Sequence, residues 1–137
     1  MRFVVHGPTS DVLRRSGRQA DLQAAGVDVV SLIPHHEFTR QLAAAPLVVT
    51  DGGSVQEECA LLGVPTLLWR HRTERSDGLG ENVVLTHYDR VAVESMLADP
   101  ERWRRPPRWL EGPSPAEVIV DHLIGFELGG LRPPRSS

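Results

Sequence analysis

The fold of this chain is decided by residues 48–58, which read VVTDGGSVQEE. A short β-branched strand ends at an aspartate, passes through two glycines and a serine, and opens directly into a helix. This geometry aims free backbone N–H groups and the positive end of a helix dipole at an anion, most often a phosphate. Gly52 and Gly53 let the backbone approach a ligand closely, and Ser54 adds a hydroxyl donor. The alternative interpretation is an ordinary strand-to-helix turn capped by Ser54.

Glu58 adds a second ligand-binding signal to this turn. It lies one helical turn further along, where a carboxylate can accept hydrogen bonds from a pair of hydroxyls such as those of a ribose. Glycine turns of this kind are common in α/β proteins. From these residues alone, phosphate binding and a plain turn are therefore about equally favoured.

Strand and helix patterns alternate on both sides of the turn. Strands are predicted over five segments, at residues 2–5, 27–33, 47–50, 66–69 and 83–85. Helices are predicted over five longer segments, at residues 11–25 (capped by Thr9 or Ser10), 35–45, 54–62, 89–98 and 115–128 (capped by Ser114). This order predicts an α/β domain with a Rossmann-like, mainly parallel sheet and helices on both faces. Residues 129–137 are expected to form a disordered tail.

Composition narrows the functional classes. The 137 residues fit one domain, and the net charge of -3 gives no electrostatic case for nucleic acid or an anionic membrane. The arginine and tryptophan run at 102–105 is interpreted as amphipathic surface. All 15 basic residues are Arg, which excludes lysine-based chemistry. The single cysteine, Cys59, is interpreted as a small buried hydrophobic residue. No apolar segment predicts a signal peptide or a membrane span. With one unpaired cysteine, this predicts a cytoplasmic location.

The residues after the turn are more distinctive. Residues 59–70 read CALLGVPTLLWR, and residues 72–75 read RTER. With the turn, they resemble the C-terminal half of the UDP-N-acetylglucosamine 2-epimerases, whose hallmark is a T-D-S-G-G-x-Q-E-E turn, a helix, a G-x-P strand and an R-x-x-T-E-R-P-E loop. The matching residues are Thr50, Asp51, Gln56, Glu57, Glu58, Gly63, Pro65, Arg70, Thr73, Glu74 and Arg75.

Three departures from the family pattern concern the ligand. Gly52-Gly53-Ser54 stands where the family reads Ser-Gly-Gly, so the hydroxyl is displaced by two positions. Ser76 stands where the family has proline, and residues 78–82 replace its usual sequence before the next strand. These departures indicate a subfamily variant and leave its sugar specificity open.

The resemblance implies the second domain of a GT-B fold, in which two Rossmann-like domains enclose the active site. Residues 1–128 correspond to most of that second domain, shortened on its N-terminal side, and residues 5–8 resemble the family's V-H-x-N-P segment. The family's N-terminal domain and its H-R-x-E-N motif are absent from the 137 residues. A missing N-terminal domain or a second copy of the chain is therefore an expected partner.

The resemblance also implies a set of UDP-contacting residues, namely His6, Phe38, Gly52, Gly53, Ser54, Glu58, Arg70 and Arg75. Phe38 would stack on the uracil ring, although its i, i+4 spacing with Leu42 equally fits a core role. One arginine would face the diphosphate, but a Glu–Arg pair that only shapes the loop is the alternative. His6 would lie beside the nucleotide-sugar, or else bond to a nearby carbonyl.

The implied activity is the interconversion of UDP-N-acetylglucosamine and UDP-N-acetylmannosamine by inversion at C2, a step in making cell-surface polysaccharide precursors. The chain is expected to bind UDP or a UDP-N-acetylhexosamine and to be inactive without the N-terminal domain. The family's acid–base groups lie upstream of the residues present here, so no catalytic residue is assigned, and His6 and Glu74 are the candidates to examine first. No cofactor and no metal are expected, since the adjacent His35 and His36 lack partner ligands. The alternatives are a non-catalytic UDP-sugar-binding subunit and a GT-B glycosyltransferase half-domain.

Overall fold

The computed structural model describes residues 1–108 and 112–130. The chain divides into two compact units, of which the first ends at Pro106 and the second begins at Pro107. The first unit contains the strands β1 (Arg2–Val5), β2 (Asp28–Ser31), β3 (Val48–Thr50), β4 (Thr66–Leu68) and β5 (Val83–Leu85). It also contains the helices α1 (Gly7–Arg15), α2 (Arg18–Ala24), α3 (His35–Ala44), α4 (Gly53–Leu62) and α5 (Arg90–Ala98), and a 3-10 turn (Pro100–Trp103). The second unit contains α6 (Pro115–Gly130).

The alternation of parallel strands with helices confirms the predicted α/β class. The strands do not form one sheet, however. β1 pairs with β2 in one parallel sheet, and β3, β4 and β5 form a second parallel sheet in that order. In the second sheet, Val48 lies opposite Thr66 and Thr66 lies opposite Val83. The central strand, β4, is buried along its whole length, as expected for a strand covered on both faces.

The helix predicted over residues 11–25 is wrong in two respects. It is divided into α1 and α2, because Gly17 adopts a left-handed conformation with φ of 73°. It also begins earlier, at Gly7, with Pro8 in its first turn and His6 as the residue preceding it. Thr9 and Ser10 therefore lie inside α1 and do not cap it.

The core of the first unit forms where α3 and α4 pack together. Leu42, Cys59 and Val64 are buried there, and the partly buried Phe38 and Val55 pack against them. Burial raises the pKa of the Cys59 thiol to about 11, so the side chain remains protonated at neutral pH. Cys59 is thus the buried, uncharged residue that the sequence predicted.

Three hydrogen bonds connect the C-terminal end of α4 and the residues just after it to later parts of the unit. The buried side chain of Asn82 donates from Nδ2 to the carbonyl oxygens of Cys59 at 2.8 Å and Val64 at 2.9 Å. Gly63 ends α4 with φ of 68°, and its carbonyl accepts a hydrogen bond from Arg105 N–H at 2.9 Å. These bonds determine where β4 begins after α4.

The second unit shows the predicted start of its helix. Ser114 Oγ accepts a hydrogen bond from Glu117 N–H at 3.2 Å, and the Glu117 carboxylate accepts one from Ser114 N–H at 2.6 Å. This reciprocal capping box lowers the pKa of Glu117. α6 remains helical to Gly130, two residues past the predicted end, and the rest of the predicted tail, residues 131–137, lies outside the described residues. None of the helices in the described part of the chain has the length and apolar character that crossing a bilayer requires.

Candidate functional site

The glycine turn joins β3 to α4 without a side-chain cap. Gly52 is the N-terminal cap residue of α4, and its N–H donates to Thr50 Oγ1 at 3.0 Å. The first intrahelical bond runs from Gln56 N–H to the Gly52 carbonyl at 3.0 Å, so the N–H groups of residues 53–55 have no acceptor within the helix. Ser54 lies within the first turn, is exposed, and does not cap the helix. The turn therefore presents a row of backbone donors that have no acceptor within the helix.

Arg75 lies directly against this helix start. A Cβ built on Gly53 would be only 2.4 Å from Arg75 Nε, so the second glycine is required for the guanidinium to approach the backbone. Arg75 forms ion pairs with Glu57, one turn into α4, and with Glu74 at 3.4 Å. The hydrogen bond to Glu57 raises the pKa of Arg75 further above its ordinary value. A permanent cation is thus held at the N-terminus of α4.

Gln56 connects helix α4 to the loop formed by residues 73–77. Its side chain is fully buried and donates from Nε2 to the carbonyl oxygens of Arg75 at 3.2 Å and Asp77 at 3.1 Å. Its Oε1 accepts a hydrogen bond from Thr73 Oγ1 at 3.0 Å. Thr73 Oγ1 accepts in turn from Arg75 N–H at 3.2 Å. All three polar positions of the amide are used, and they hold the 73–77 loop against α4.

The two adjacent glutamates of α4 point in different directions. Glu57 faces the loop and pairs with Arg75. Glu58 faces α3, where its Oε1 lies 3.2 Å from His35 Nε2. Its Oε2 is 3.5 Å from Thr39 Oγ1, a hydroxyl that already donates to the His35 carbonyl at 3.0 Å. Because that second contact is long, Glu58 keeps an oxygen available to a ligand hydroxyl.

Arg70 and Glu74, which the sequence also placed at the site, form an ion pair with each other. Arg70 Nη1 lies 3.6 Å from Glu74 Oε2, and this buried nitrogen makes no hydrogen bond to any of the described residues. The carboxylate of Glu74 is mostly exposed, and its pKa is lowered by a hydrogen bond to its own backbone N–H and then by Arg75. Glu74 is therefore ionised at neutral pH, so it can accept a proton but has none to donate.

His6 and Phe38 lie apart from this charged group. Phe38 is partly buried and packs against the Leu42, Cys59 and Val64 cluster, which is the core role that its spacing also allowed. His6 is exposed at the end of β1, immediately before α1. Within residues 1–108, its side chain makes no hydrogen bond or ion pair with another predicted site residue.

The site includes contacts that the sequence argument did not anticipate. These are the buried position of Gln56, the pairing of Glu57 with Arg75, and the contact of His35 with Glu58. The sequence did contain one indication of the Glu58 contacts. The i, i+4 spacing of His35 and Thr39 puts both residues on one face of α3. The described residues contain no group of three or more His, Cys, Asp or Glu side chains that could hold a metal ion.

Known proteins match this chain over the same region. The family model for UDP-N-acetylglucosamine 2-epimerase matches residues 1–107. A UDP-N-acetylglucosamine 2-epimerase of Methanococcus maripaludis is 32% identical over 129 residues, which is 90% of this chain and 34% of the relative. One from Methanocaldococcus jannaschii is 32% identical over 85 residues, which is 58% of this chain and 23% of the relative.

A putative UDP-N-acetylglucosamine 2-epimerase of Thermotoga maritima is 27% identical over 115 residues, covering 79% of this chain and 30% of the relative. The chain thus spans about a third or less of the length of these relatives. The matched region contains the glycine turn, α4 and the 70–77 loop, whose contacts explain why those residues occur together. The chain belongs to the UDP-N-acetylglucosamine 2-epimerase family.

Proposed function

We propose that this chain is the UDP-binding half of a UDP-N-acetylglucosamine 2-epimerase and binds the diphosphate at the Gly52–Ser54 turn. The observation that carries the proposal is the placement of Arg75 against the start of α4, beside backbone N–H groups that have no helical acceptor. A helix N-terminus has a partial positive charge of roughly half an electron, and several N–H donors there suit phosphate oxygens.

The charges around the turn favour an exchange of partners when a ligand binds. Arg70 and Arg75 are balanced by Glu57 and Glu74, so the group has no net charge without a ligand. Glu74 is mostly exposed and its two ion pairs are long, at 3.4 and 3.6 Å. A diphosphate can therefore replace Glu74 as the partner of the two guanidinium groups, and its charge is then compensated by Arg70, by the helix dipole and by Arg75, which Glu57 continues to share.

The remaining candidates fit the rest of the nucleotide-sugar. Glu58 is oriented by His35 and keeps an oxygen for the ribose hydroxyls. The exposed part of Phe38 suits the uracil ring, and His6 would lie beside the sugar. As the family is understood, UDP is eliminated to leave a glycal and is then added back to the other face. The turn would stabilise the departing diphosphate, while His6 and the ionised Glu74 are the proton-accepting groups available here.

The proposal extends to the protein in which this chain acts and to its location in the cell. We infer that it acts as the second domain of a GT-B fold and needs the N-terminal domain for turnover, because the chain spans only about a third (34%) of the Methanococcus maripaludis relative. We also infer a cytoplasmic location, since its single cysteine is buried and unpaired. UDP binding and turnover are separate claims, and each has its own test.

Titration with UDP, followed by NMR of the backbone amides, tests the binding site. We expect the amides of residues 52–58 to shift, with a Kd on the order of 0.1–1 mM because half of a cleft supplies only part of the binding free energy. Uridine, which shares the base and the ribose of UDP but lacks the phosphates, is the control and should leave the amides of residues 53–55 unchanged. If UDP shifts other amides while those of residues 52–58 stay in place, the site is misassigned.

Exchange of each glutamate for glutamine separates their roles. Glu58→Gln should weaken UDP binding by about tenfold to a hundredfold, since a hydrogen bond to a charged group contributes roughly 1.5–3 kcal/mol. Glu57→Gln should change the affinity by no more than about twofold to threefold, because it removes a competitor for Arg75 and no ligand contact. Isothermal titration of both variants gives the comparison. A larger loss from Glu57→Gln would show that Glu58 is not the ribose ligand.

The purified chain should show no epimerase turnover. Loss of positioned acid–base groups alone costs roughly 10²–10⁴-fold, and an open cleft also admits water. Conversion of UDP-N-acetylglucosamine in deuterated water, followed by proton NMR, measures the activity, with a full-length relative as the positive control. Turnover by the chain alone would contradict the proposal, and Glu74→Gln and His6→Asn would then be the first variants to examine.

A further inference from the structure

Two consecutive residues after β5 adopt a backbone conformation that is uncommon outside glycine. His87 has φ of 50° and Tyr88 has φ of 63°, and no other non-glycine residue in the described part of the chain has a positive φ. The Thr86 carbonyl accepts a hydrogen bond from Asp89 N–H at 2.7 Å, which closes a turn with both central residues left-handed. Such turns normally contain glycine or asparagine, so this one is strained. Backbone strain of this kind is concentrated at functional sites.

The strained turn contacts the residues on both sides of Arg70. The His71 carbonyl oxygen lies 2.8 Å from His87 Nδ1, and the ring is the donor because a carbonyl oxygen can only accept. The Tyr88 ring stacks against the His71 ring at 6.4 Å and meets the Trp69 ring edge to face at 5.5 Å. The segment that carries Arg70 is therefore attached to the turn both before and after the arginine.

These ring contacts do not belong to the core. Trp69 is 45% exposed and Tyr88 is 56% exposed, and the two histidines of the cluster are exposed as well. Glycine would adopt both left-handed positions without strain. Reversal of the chain after β5 therefore does not explain why His87 and Tyr88 occupy them.

Arg70 has a feature that the attachment does explain. Its Nη1 is buried and makes no hydrogen bond to any described residue, and its ion-pair partner, Glu74 Oε2, lies 3.6 Å away. A buried donor without a partner lowers stability and is rare in native proteins. The backbone of Arg70 is fixed, since its N–H donates to the Leu68 carbonyl at 2.9 Å. The same carbonyl accepts from the N–H and the hydroxyl of Thr86, each at 3.1 Å.

We propose that the turn at residues 86–89 is a positioning element for Arg70. His87 and Tyr88 hold residues 69–71 so that the guanidinium, with its unused donor, is in place before a phosphate oxygen arrives. A side chain that is already ordered loses less conformational freedom when the ligand binds, which increases affinity. This inference rests on the proposed function, because it takes the diphosphate as the ligand of Arg70. His87 and Tyr88 act through Arg70 and not by contact with the ligand.

Two substitutions of His87 separate positioning from stability. His87→Gly removes the hydrogen bond to the His71 carbonyl but relieves the backbone strain, so the Tm should change by no more than about 3 °C. His87→Asn tolerates a positive φ, and its amide nitrogen is as many bonds from Cα as the histidine Nδ1, so it can restore the hydrogen bond. The Kd for UDP should rise about threefold to tenfold in His87→Gly and stay within about twofold of the original in His87→Asn.

Amide hydrogen exchange in the absence of UDP measures the positioning itself. Arg70 N–H should exchange at least about fivefold faster in His87→Gly than in the original chain, and at about the original rate in His87→Asn. Thr86 N–H is the internal control, because it donates to the same Leu68 carbonyl and should keep its rate in both variants.

Tyr88→Asn tests the ring contacts. It keeps a residue that tolerates a positive φ but removes the contacts with Trp69 and His71. It should raise both the Kd for UDP and the Arg70 exchange rate, each by about twofold or more. Unchanged values would overturn the role assigned to Tyr88.

The remaining outcomes distinguish failure of this inference from failure of the proposed function. Unchanged Arg70 exchange in His87→Gly, equally increased exchange of Thr86, or faster Arg70 exchange without loss of UDP affinity would overturn the inference and leave the UDP site standing. Failure of His87→Asn to restore the original values would overturn the role of the hydrogen bond. If the original chain does not bind UDP, the proposed function fails and this inference fails with it.

Discussion

Gln56→Leu should produce one of the largest losses of stability of any single change in the first unit. The substitution keeps a similar volume but leaves the carbonyls of Arg75 and Asp77 and the hydroxyl of Thr73 without their partner. The three orphaned groups are only partly buried, so each costs about 1 kcal/mol, and we expect a loss of about 3 kcal/mol in the free energy of unfolding. Chemical denaturation of the isolated chain measures it.

The matched control for this variant is Thr73→Val, which removes one of the three hydrogen bonds made by Gln56 and also the acceptor of the Arg75 N–H. It should cost about 1–2 kcal/mol. The two variants also differ in their effect on UDP binding. Gln56→Leu releases the loop that positions Arg75 and should weaken UDP severalfold even at temperatures where the variant is folded. A Gln56→Leu protein as stable as the original would show that the loop has another anchor.

Gly63→Ala should destabilise the same unit by a comparable amount through the backbone. Gly63 has φ of 68°, and a Cβ built there would lie 2.0 Å from the carbonyl oxygen of Arg105. The left-handed conformation costs a non-glycine residue about 1–2 kcal/mol. The overlap adds a further cost, because the colliding atom is the backbone carbonyl oxygen of Arg105, the residue whose N–H donates to the Gly63 carbonyl. We expect a total loss of about 3 kcal/mol or more.

Gly80→Ala isolates the conformational part of that cost. Gly80 has φ of 77°, but a Cβ there meets no atom within 4 Å. It should lose only about 1–2 kcal/mol. Thermal unfolding of the two variants side by side measures the difference, which is attributable to the Arg105 contact. Similar Tm values would mean that the segment after the 3-10 turn moves away from Gly63 at little cost.

The local elements of the fold were readable from the sequence because their signals are local. Gly63 and Pro65 mark the end of α4, and Ser114 with Glu117 marks the start of α6. The boundaries of β1 and β5 agree with the prediction for the same reason. The break between α1 and α2 was missed, since a glycine inside a helical pattern is often tolerated and only the observed φ of Gly17 shows that the chain turns there.

Strand pairing and side-chain partners were not readable in this way. The residues of β1 and β3 contain nothing that identifies their neighbours, so one sheet was predicted where the structure has two. The helical angle between consecutive residues predicted that Glu57 and Glu58 diverge, and they do. Arg75 lies beside Glu57 and His35 lies beside Glu58 because of the way the loop and α3 pack against α4. Such contacts arise from the tertiary arrangement and not from spacing.

Chemical labelling of Cys59 can be used to follow unfolding of the first unit. It is the single cysteine, has no exposed surface, and has a thiol pKa of about 11. A thiol-reactive dye needs both access and the thiolate, so labelling in the native state requires the α3–α4 core to open. The labelling rate at low denaturant therefore measures opening of that core directly. The wild-type sequence and its variants can be ranked by this rate without introducing any probe into the protein.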